Sequence, residues 1–252
     1  MQTYLVGGAV RDEILGVKSK DLDYVVVLNS NEPIVCGFSR EPKDPFDKLV
    51  YRLERDGFKV FDQNRKFFTV RAKFPKGDHR YPMVGDFVLA RKEADYSDGR
   101  HPDTVEVGTL GDDLKRRDFT MNAIAKEANG NLIDPHGGQL DIKRRLVRAV
   151  GDPFERLSED PLRALRAIRF AVTKGFNIDP NLRAAMHEPA VVEGVASSKV
   201  ADERIDAELS KAFRADTVAS LLILSDFPAL MSAAFSGKVS LDSTMKQKGR
   251  GK

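Results

Sequence analysis

Residues 4–28 read YLVGGAVRDEILGVKSKDLDYVVVL, and this stretch decides the fold. Tyr4–Val6 is a short apolar run that leads into two glycines, and the pattern that follows predicts a helix that ends at Gly16. Leu22–Leu28 is apolar and rich in β-branched residues, which predicts a strand buried inside a sheet. A strand, a glycine turn, a helix and a second buried strand indicate a domain that mixes α and β structure.

Two carboxylates, Asp21 and Asp23, stand at the start of the second strand. Side chains two residues apart on a strand point to the same face, so these carboxylates are expected to lie side by side. Like charges that close repel, and they are tolerated mainly where a cation lies between them. Oxygen ligands suit Mg²⁺, which keeps waters and substrate phosphates in its remaining positions. An isolated Asp-x-Asp pair is more often a surface turn, so its neighbourhood decides between the two interpretations.

The neighbourhood of the two carboxylates favours a phosphate site. Gly7 and Gly8 lie between a predicted strand and a predicted helix, where backbone N–H groups can approach a phosphate. Arg11 lies one turn into that helix and can reach the same anion. This combination is what nucleotidyl transfer requires, because metal ions there activate the attacking hydroxyl and stabilise the leaving pyrophosphate.

The remaining chain divides into an α/β part and a helical part, with the change near residue 140. In the α/β part, the sequence predicts a polar loop (Asn29–Pro45), a helix (Asp44–Asp56) and two strands joined by a hairpin (Phe67–Phe74 and Val84–Ala90). A mobile loop (Arg91–Val107), a helix capped by Thr109 (Thr109–Asn122) and an Asn-Gly hairpin (Asn129-Gly130) follow. The helical part predicts helices at Leu140–Val150, Ser158–Lys174, Pro180–Met186, Lys199–Phe213 and Asp216–Leu224. The last dozen residues look disordered.

Composition narrows the class of protein. The chain has 252 residues with 41% hydrophobic content, which suffices for one large domain or two small ones. No apolar run approaches the ~18 residues of a membrane span, and the N-terminus lacks the pattern of a signal peptide. The single cysteine, Cys36, cannot form an internal disulfide or anchor a zinc site alone. A cytoplasmic protein without a membrane partner is therefore expected.

Basic residues are clustered, although the net charge is only +3. The clusters are Lys115–Arg117, Lys143–Arg145 with Arg148, the series Arg163, Arg166 and Arg169, and the tail Lys246–Lys252. Any one of these clusters alone is more typical of a solvated helix face. Their number makes an anionic partner such as a nucleic acid or a nucleotide plausible.

The glycine and aspartate motifs also resemble a known family. Gly7–Asp12 (GGAVRD) followed by Lys20–Val26 (KDLDYVV) resembles the signature of the class II CCA-adding enzymes and bacterial poly(A) polymerases, of the polymerase β nucleotidyltransferase superfamily. Further elements of that family's pattern follow in its order. They are Asp98–Pro102 (DGRHP), Asp113–Ala123 (DLKRRDFTMNA), Ile133–Pro135 with Gly137-Gly138, and Glu159–Arg163 (EDPLR) with Arg166, Arg169 and Phe170. The resemblance covers about residues 4 to 176.

The resemblance implies an α+β fold with three parts. A nucleotidyltransferase head occupies residues 1–140, and a helical neck with the nucleobase-recognition motif occupies residues 141–213. A short helical body with a disordered basic tail occupies residues 214–252. Family members usually carry a longer body and tail that grip tRNA. Glu203-Arg204 and Glu208-Leu209 resemble part of the helical neck and are expected to be structural.

The resemblance also implies roles for particular residues. Asp21 and Asp23 would bind catalytic Mg²⁺, and Asp86 lines up with the family's third catalytic carboxylate. Three groups of residues would bind the nucleotide. Gly7, Gly8 and Arg11 would bind the triphosphate, and Arg117, Asp118 and Asn122 would bind the ribose and phosphates. Asp160 and Arg163, with Arg166 and Arg169 from the same motif, would bind the base.

Side-chain chemistry agrees with the ribose and base assignments. Asp118 and Asn122 are four residues apart and are expected on one helix face. Arg is a forked donor and Asp a pure acceptor, so Asp160 and Arg163 together can read donor and acceptor positions on a base edge. Ser158 is a suitable N-cap for their helix, with Pro161 in its first turn. A solvated helix face with Asp–Arg pairs is the alternative interpretation of this polar stripe.

The resemblance implies template-independent addition of CMP and AMP to the acceptor end of tRNA, with CTP and ATP as substrates. Close alternatives add only A, only C, or a poly(A) tail, and the sequence separates these poorly. A non-catalytic RNA- or nucleotide-binding protein of the same fold is the alternative from a different class. The intact carboxylates and arginines of the motifs argue against it. The sequence leaves the oligomeric state open.

Overall fold

The computed structural model describes residues 1–19, 21–28, 42–94, 104–197 and 200–235. These residues fall into two compact units. The first unit comprises Met1–Ala94, Thr104–Arg117 and Met121–Gln139, and the described part of the second comprises Asp118–Thr120 and the residues from Leu140 onward. The predictions for Asp98–Pro102, for residues 29–41 of the polar loop, for Cys36 and for the tail fall outside the described residues.

The first unit combines strands with a few helices. Its described strands are β1 (Gln2–Val6), β2 (Leu22–Val27), β3 (Lys59–Asn64), β4 (Thr69–Lys73), β5 (Val84–Leu89), β6 (Arg91–Ala94), β7 (Thr104–Val107), β8 (Ala125–Lys126) and β9 (Leu132–Ile133). Its helices are α1 (Gly8–Ile14), α2 (Pro45–Arg55) and α3 (Leu110–Lys115). Seven strands form one sheet in the order β3-β4-β5-β2-β1-β8-β9. The sheet is mixed, because β2 and β5 pair in parallel while β1 and β2 pair antiparallel.

The alternation of side chains along β2 assigns the two faces of this sheet. Tyr24 and Val26 pack with α2, which buries Phe46, Leu49 and Leu53 against them. These helix residues recur at helical spacing, and Asp44 caps the helix by accepting from the backbone N–H groups of residues 46 and 47. Val25 points to the opposite face, where it packs in a second cluster with Leu114 of α3. By the same alternation, Asp23 belongs to this second face.

The second unit is mainly helical. Its elements are α4 (Gly138–Arg144), β10 (Leu146–Val147), α5 (Pro153–Glu159), α6 (Leu162–Lys174), β11 (Asn177–Ile178), α7 (Pro180–Ala185), α8 (Pro189–Ala196), α9 (Asp202–Ala215), α10 (Thr217–Ser225) and α11 (Pro228–Phe235). The α+β fold class predicted from the sequence is confirmed. No single described helix has the length and apolar character to cross a membrane, and α10 with α11 meets that test only as a pair bent by 119°.

The predicted helix Thr109–Asn122 is wrong in its second half. Thr109 does cap α3 through a reciprocal capping box with Asp112, but the helix ends at Lys115. Beyond it, the chain pairs with a distant segment, as the N–H of Thr120 donates to the carbonyl of Arg148 at 2.9 Å. Asp118 and Asn122 are therefore not on one helix face, because tertiary pairing replaces the helical hydrogen bonds.

The predicted helix Ser158–Lys174 is two helices. α5 ends at Glu159, Asp160 has an extended backbone with φ −145° and ψ 96°, and α6 begins at Leu162. The residue before a proline avoids the helical region, so Pro161 forces this break. Ser158 is therefore not an N-cap but lies inside α5, which Asp152 caps instead.

Several short elements differ from the sequence predictions. The described ends of the predicted loop Arg91–Val107 form the antiparallel ribbon of β6 and β7. α4 ends at Arg144, short of the predicted Val150, and β10 then pairs in parallel with β11. The sequence analysis also missed β3, α8 and α11. β3 is an edge strand with mostly exposed side chains, so it lacks the alternation that reveals a half-buried strand.

Gly194 of α8 offers a test of the packing in the second unit. A Cβ at this position would lie 2.5 Å from Cγ of Pro161, which is too close for the chain to accept without movement. We expect Gly194→Ala to lower the free energy of unfolding in urea by about 1–3 kcal/mol, as overpacking does. Gly111→Ala in α3 is the matched control, since its nearest neighbour would be Thr109 Oγ1 at 3.6 Å. Equal stability of Gly194→Ala and the unchanged protein would contradict this packing.

Candidate active site

The parallel pairing of β2 with β5 brings two candidate carboxylates together. Asp23 and Asp86 are direct register partners on these neighbouring strands, so their side chains leave the same face of the sheet. Asp21 immediately precedes β2, two residues before Asp23. The arrangement places the three carboxylates that the sequence singled out at the same end of two central strands.

Arg71 on β4 neutralises part of this negative charge. It is the register partner of Asp86, and its Nε and Nη2 donate to the two carboxylate oxygens of Asp86 at 2.7 and 3.0 Å. These hydrogen bonds raise the pKa of the Arg71 guanidinium, so it stays charged. The sequence analysis missed Arg71, because only the alignment of three strands reveals that it lies beside Asp86.

Asp23 is a half-buried member of the carboxylate group. Burial raises the pKa of its carboxyl, and the nearby charges of Asp86 and Asp21 raise it further, while Arg117 and Arg71 oppose them. A carboxylate in this environment is stabilised by any additional positive charge. The electrostatics of the site therefore favour the binding of a cation.

Metal binding at this site requires ligands beyond the protein. Across residues 1–19, 21–28, 42–94, 104–197 and 200–235, no three His, Cys, Asp or Glu side chains converge closely enough to hold a metal ion. The adjacent carboxylates of Asp23 and Asp86 nevertheless match the oxygen donors that Mg²⁺ prefers. Mg²⁺ usually takes one or two protein carboxylates and completes its shell with waters and substrate phosphates, so the donor set fits this ion.

The glycine turn lies directly beside Asp23. Gly7 has φ 68°, a conformation that glycine adopts without strain. A Cβ at Gly7 would lie 3.0 Å from Nη1 of Arg117 and 3.8 Å from Oδ2 of Asp23. The absence of a side chain thus leaves an open approach between a cation and a carboxylate. Gly8 follows as the first residue of α1, and Arg11 is buried in the same helix.

Asn122 connects the two arginines of this part of the site. Its side-chain oxygen accepts from Nη1 of Arg11 at 2.7 Å, and its backbone carbonyl accepts from Nη1 of Arg117 at 3.2 Å. Arg117 also donates through Nη2 to Asp113 at 2.9 Å. Burial alone would raise the pKa of Asp113, but Arg117 and Arg116 hold it below its ordinary value. Asp113 is a positioning residue that the sequence analysis did not assign, although its spacing of four to Arg117 was a signal for it.

Asp118 belongs to a separate network in the second unit. Nε and Nη2 of Arg166 donate to Oδ2 of Asp118 at 3.0 and 2.6 Å. Nη1 of Arg166 reaches Oε1 of Glu208 at 3.4 Å, and Nε of Arg169 donates to the other oxygen of Glu208. The guanidinium of Arg169 also lies over the ring of Phe170, at 3.7 Å from its centre. The network joins two predicted nucleotide-binding arginines to the buried Glu208.

Asp160 and Arg163 both have partners within the protein. Oδ2 of Asp160 accepts from Nη2 of Arg204 at 2.8 Å. Nη1 of Arg163 donates to Glu159 at 2.6 Å and to the backbone carbonyl of Arg156 at 2.8 Å. Asp160 also accepts from the N–H of Leu162, the first residue of α6, at 3.2 Å. The two side chains are held by ion pairs, and any base that they read must exchange with these partners.

Known proteins are similar to this chain over most of its length. Residues 3–148 match the model of the poly(A) polymerase head domain. The CCA-adding enzyme of Limosilactobacillus fermentum is 35% identical over 212 residues, which are 83% of this chain and 45% of that protein. The multifunctional CCA protein of Nitrosospira multiformis is 39% identical over 215 residues, which are 84% of this chain and 44% of that protein. The chain thus spans a little under half the length of these relatives.

Solved structures are similar over most of the chain. The Bacillus stearothermophilus CCA-adding enzyme in complex with CTP aligns with a TM-score of 0.68 and 29% identity, over 97% of this chain and 51% of that one. The Thermotoga maritima CCA-adding enzyme complexed with tRNA aligns with a TM-score of 0.66 and 27% identity, over 92% of this chain and 48% of that one. The similarity therefore extends across both units.

Glu208 is the residue whose loss tests the second network. Glu208→Ala would leave Arg166 and Arg169 without their shared carboxylate in a buried setting. Removing one partner of a buried pair typically costs about 3–5 kcal/mol, so we expect a loss of that order in the free energy of unfolding. Glu203→Ala, on the exposed side of the same helix, should change it by no more than about 0.5 kcal/mol. Similar effects of the two substitutions on the free energy of unfolding would show that the network does not stabilise the fold.

Proposed function

Because the chain belongs to the poly(A) polymerase head domain family, we propose that it adds CMP and AMP to the 3′ end of tRNA, without a template, from CTP and ATP. One observation carries this proposal: Asp23 and Asp86 are register partners beside a glycine turn that faces Arg117. Paired carboxylates next to an open cationic turn provide what nucleotidyl transfer needs, namely a place for metal and a place for a triphosphate. The similarity of this chain to a CCA-adding enzyme that was solved in complex with tRNA supports the choice of tRNA as the substrate.

The proposed reaction is a single displacement at phosphorus. The 3′-hydroxyl oxygen of the RNA attacks the α-phosphorus of the nucleotide, and the bond from that phosphorus to the oxygen of the β-phosphate breaks. Pyrophosphate leaves, and the hydroxyl proton passes to solvent. One or two of the carboxylates of Asp21, Asp23 and Asp86 would hold Mg²⁺, and waters and phosphate oxygens of the nucleotide would complete its ligands. When bound, Mg²⁺ supplies Lewis-acid activation of the hydroxyl and stabilises the charge on the leaving group.

The arginines of the first unit would position the triphosphate. Arg11 and Arg117 are both oriented by Asn122, and Gly7 and Gly8 leave the space beside them open. A guanidinium that is already oriented loses little side-chain entropy when it binds a phosphate. We assign the triphosphate to this cradle, and the ribose to Asn122.

Asp160 and Arg163 would replace a template by reading the base. A base edge that offers both a donor and an acceptor can replace Arg204 at Asp160 and Glu159 at Arg163. Such an exchange conserves the number of hydrogen bonds, so the wrong base is penalised by leaving a polar group unpaired. Arg166 and Arg169 support this motif from the same helix through Asp118 and Glu208.

The experiment that tests the proposed function uses tRNA transcripts that lack the last three, two or one nucleotides, each with one labelled nucleotide at a time. CCA addition predicts incorporation of CMP into the first two transcripts and of AMP into the third. Incorporation of AMP alone or CMP alone would identify an A-adding or C-adding enzyme, and long AMP tails a poly(A) polymerase. No incorporation into any transcript would favour a non-catalytic nucleotide-binding protein.

Asp23→Ala tests the carboxylate group. We expect it to reduce nucleotide addition by at least about 100-fold, because transition-state charge stabilisation worth several kcal/mol is lost with the metal. The circular dichroism spectrum should be unchanged. Asp56→Ala is the control, since Asp56 is an exposed aspartate whose ion pair with Arg55 contributes little. An Asp23→Ala variant that retains more than a few per cent of the activity would rule out the assignment.

Arg163→Ala tests base selection. Losing one hydrogen-bonded base contact costs ~1–3 kcal/mol, so discrimination between CTP or ATP and the other nucleotides should fall about 10- to 100-fold. Binding of the triphosphate itself should change little. The measurement is kcat/KM for all four nucleotides with the same RNA. Uniform loss of activity with unchanged selectivity would assign Arg163 to another role.

A further inference from the structure

The strand order of the sheet divides the surroundings of Asp23 into two sides. β1 and the glycine turn lie on one side of β2, and β5, β4 and β3 follow in that order on the other. The proposed triphosphate cradle uses only the first side. The second side carries Asp86 and Arg71, and no part of the nucleotide or of the RNA is assigned to it.

A cavity of about 310 Å³ opens on this second side. Asp21 and Asp86 line one part of it, while Phe61 of β3, Met83 and Val84 contribute an apolar part, and Arg71 lies among the lining residues as well. Its volume is at the lower end of the ~300–1,000 Å³ that small-molecule sites occupy, which suits one nucleotide and excludes a duplex. The cavity therefore joins an apolar surface directly to the proposed catalytic carboxylates.

Phe61 owes its position to an irregularity in the sheet. Val60 pairs with Ala72 and Asp62 pairs with Arg71, so Phe61 is an extra residue in β3 with no partner position in β4. A bulge of this kind frees a side chain from strict alternation and can redirect it towards a site. Val60 packs on the core, whereas the side chain of Phe61 is 54% exposed. An exposed aromatic ring beside a polar cavity is the kind of platform on which a base stacks.

Basic residues continue the surface next to Phe61. Lys59 and Lys73 are register partners on β3 and β4, and Arg71 lies two residues from Lys73 on the same strand. The ammonium group of Lys73 lies over the ring of Tyr81, at 5.0 Å from its centre, and Tyr81 is 40% exposed. The surface thus presents cations and aromatic rings at one end and carboxylates at the other. The triphosphate is assigned to the cradle on the other side of β2, so this surface remains for the second substrate, the RNA.

We infer that this surface, Lys59, Phe61, Arg71 and Lys73 with the cavity beside them, binds the single-stranded 3′ end of the RNA acceptor. Phe61 stacks on a base near the terminus, and the basic side chains contact the phosphates. The terminal hydroxyl then points to the carboxylates, opposite the triphosphate cradle. The inference rests on the proposed function for its choice of ligand, and it adds the subsite that presents the attacking group.

Substitution of Phe61 separates this role from nucleotide binding. Stacking of a base on an aromatic side chain contributes binding free energy that Phe61→Ala removes. We therefore expect this substitution to raise the KM for a short single-stranded RNA acceptor about tenfold. The KM for CTP should stay unchanged, and Phe61→Tyr should restore RNA affinity. Phe154→Ala is the matched control, because Phe154 is 43% exposed in α5 and has no assigned role. Equal effects of Phe61→Ala and Phe154→Ala, or an effect confined to CTP, would overturn the inference.

A crosslinking experiment decides the inference even if no nucleotide is added. A single-stranded RNA with 5-iodouridine at its 3′-terminal position is irradiated with the full chain, and the crosslinked peptide is identified by mass spectrometry. We expect the crosslink within Lys59–Lys73 and its loss in Phe61→Ala. A crosslink confined to the second unit would overturn the inference, whether or not the protein proves to be a nucleotidyltransferase. Absence of nucleotide addition with a crosslink at Phe61 would instead reject only the proposed function.

Discussion

The parallel pairing of β2 with β5 is the constraint on which the rest of the first unit depends. It places Asp23 beside Asp86 and turns both carboxylates away from the apolar core that Tyr24 and Val26 share with α2. Two neighbouring carboxylates repel, and burial of Asp23 adds to the cost of its charge. The fold tolerates this cost because the packing of the opposite face holds the strands in register, whatever the charges on the face that carries the carboxylates.

Ion pairs with arginines offset much of this electrostatic cost, and each pair also orients a side chain of the proposed site. Arg71 holds Asp86, Asp113 and Asn122 hold Arg117, and Arg166 holds Asp118. Partly buried ion pairs often add little net stability, because desolvation cancels much of the attraction. Their effect here is positional: the charged side chains are directed before any ligand arrives, which reduces the entropy lost on binding.

Local patterns in the sequence predicted most of the elements around the site. β2, α2 and the Asn-Gly hairpin were predicted because an apolar run, a capped helical repeat and a turn pair each act over a few residues. The predictions failed where a distant segment competes for backbone hydrogen bonds. Residues 118–120 leave the helical path because they pair with residues 148–150. β3 was missed because the side chains of an exposed edge strand need not alternate between apolar and polar.

The sequence by itself determined the chemical groups and the α+β class, since these depend on composition and short-range spacing, and it predicted that Asp21 lies beside Asp23. Only the tertiary structure decided that Arg71 faces Asp86, that Asp113 holds Arg117, and that Arg204 and Glu159 pair with Asp160 and Arg163, the residues proposed to read the base. The physical reason is that the register between strands and the contacts between helices are set by how apolar faces pack. That packing joins residues far apart in the chain, and no periodicity within a short segment records it.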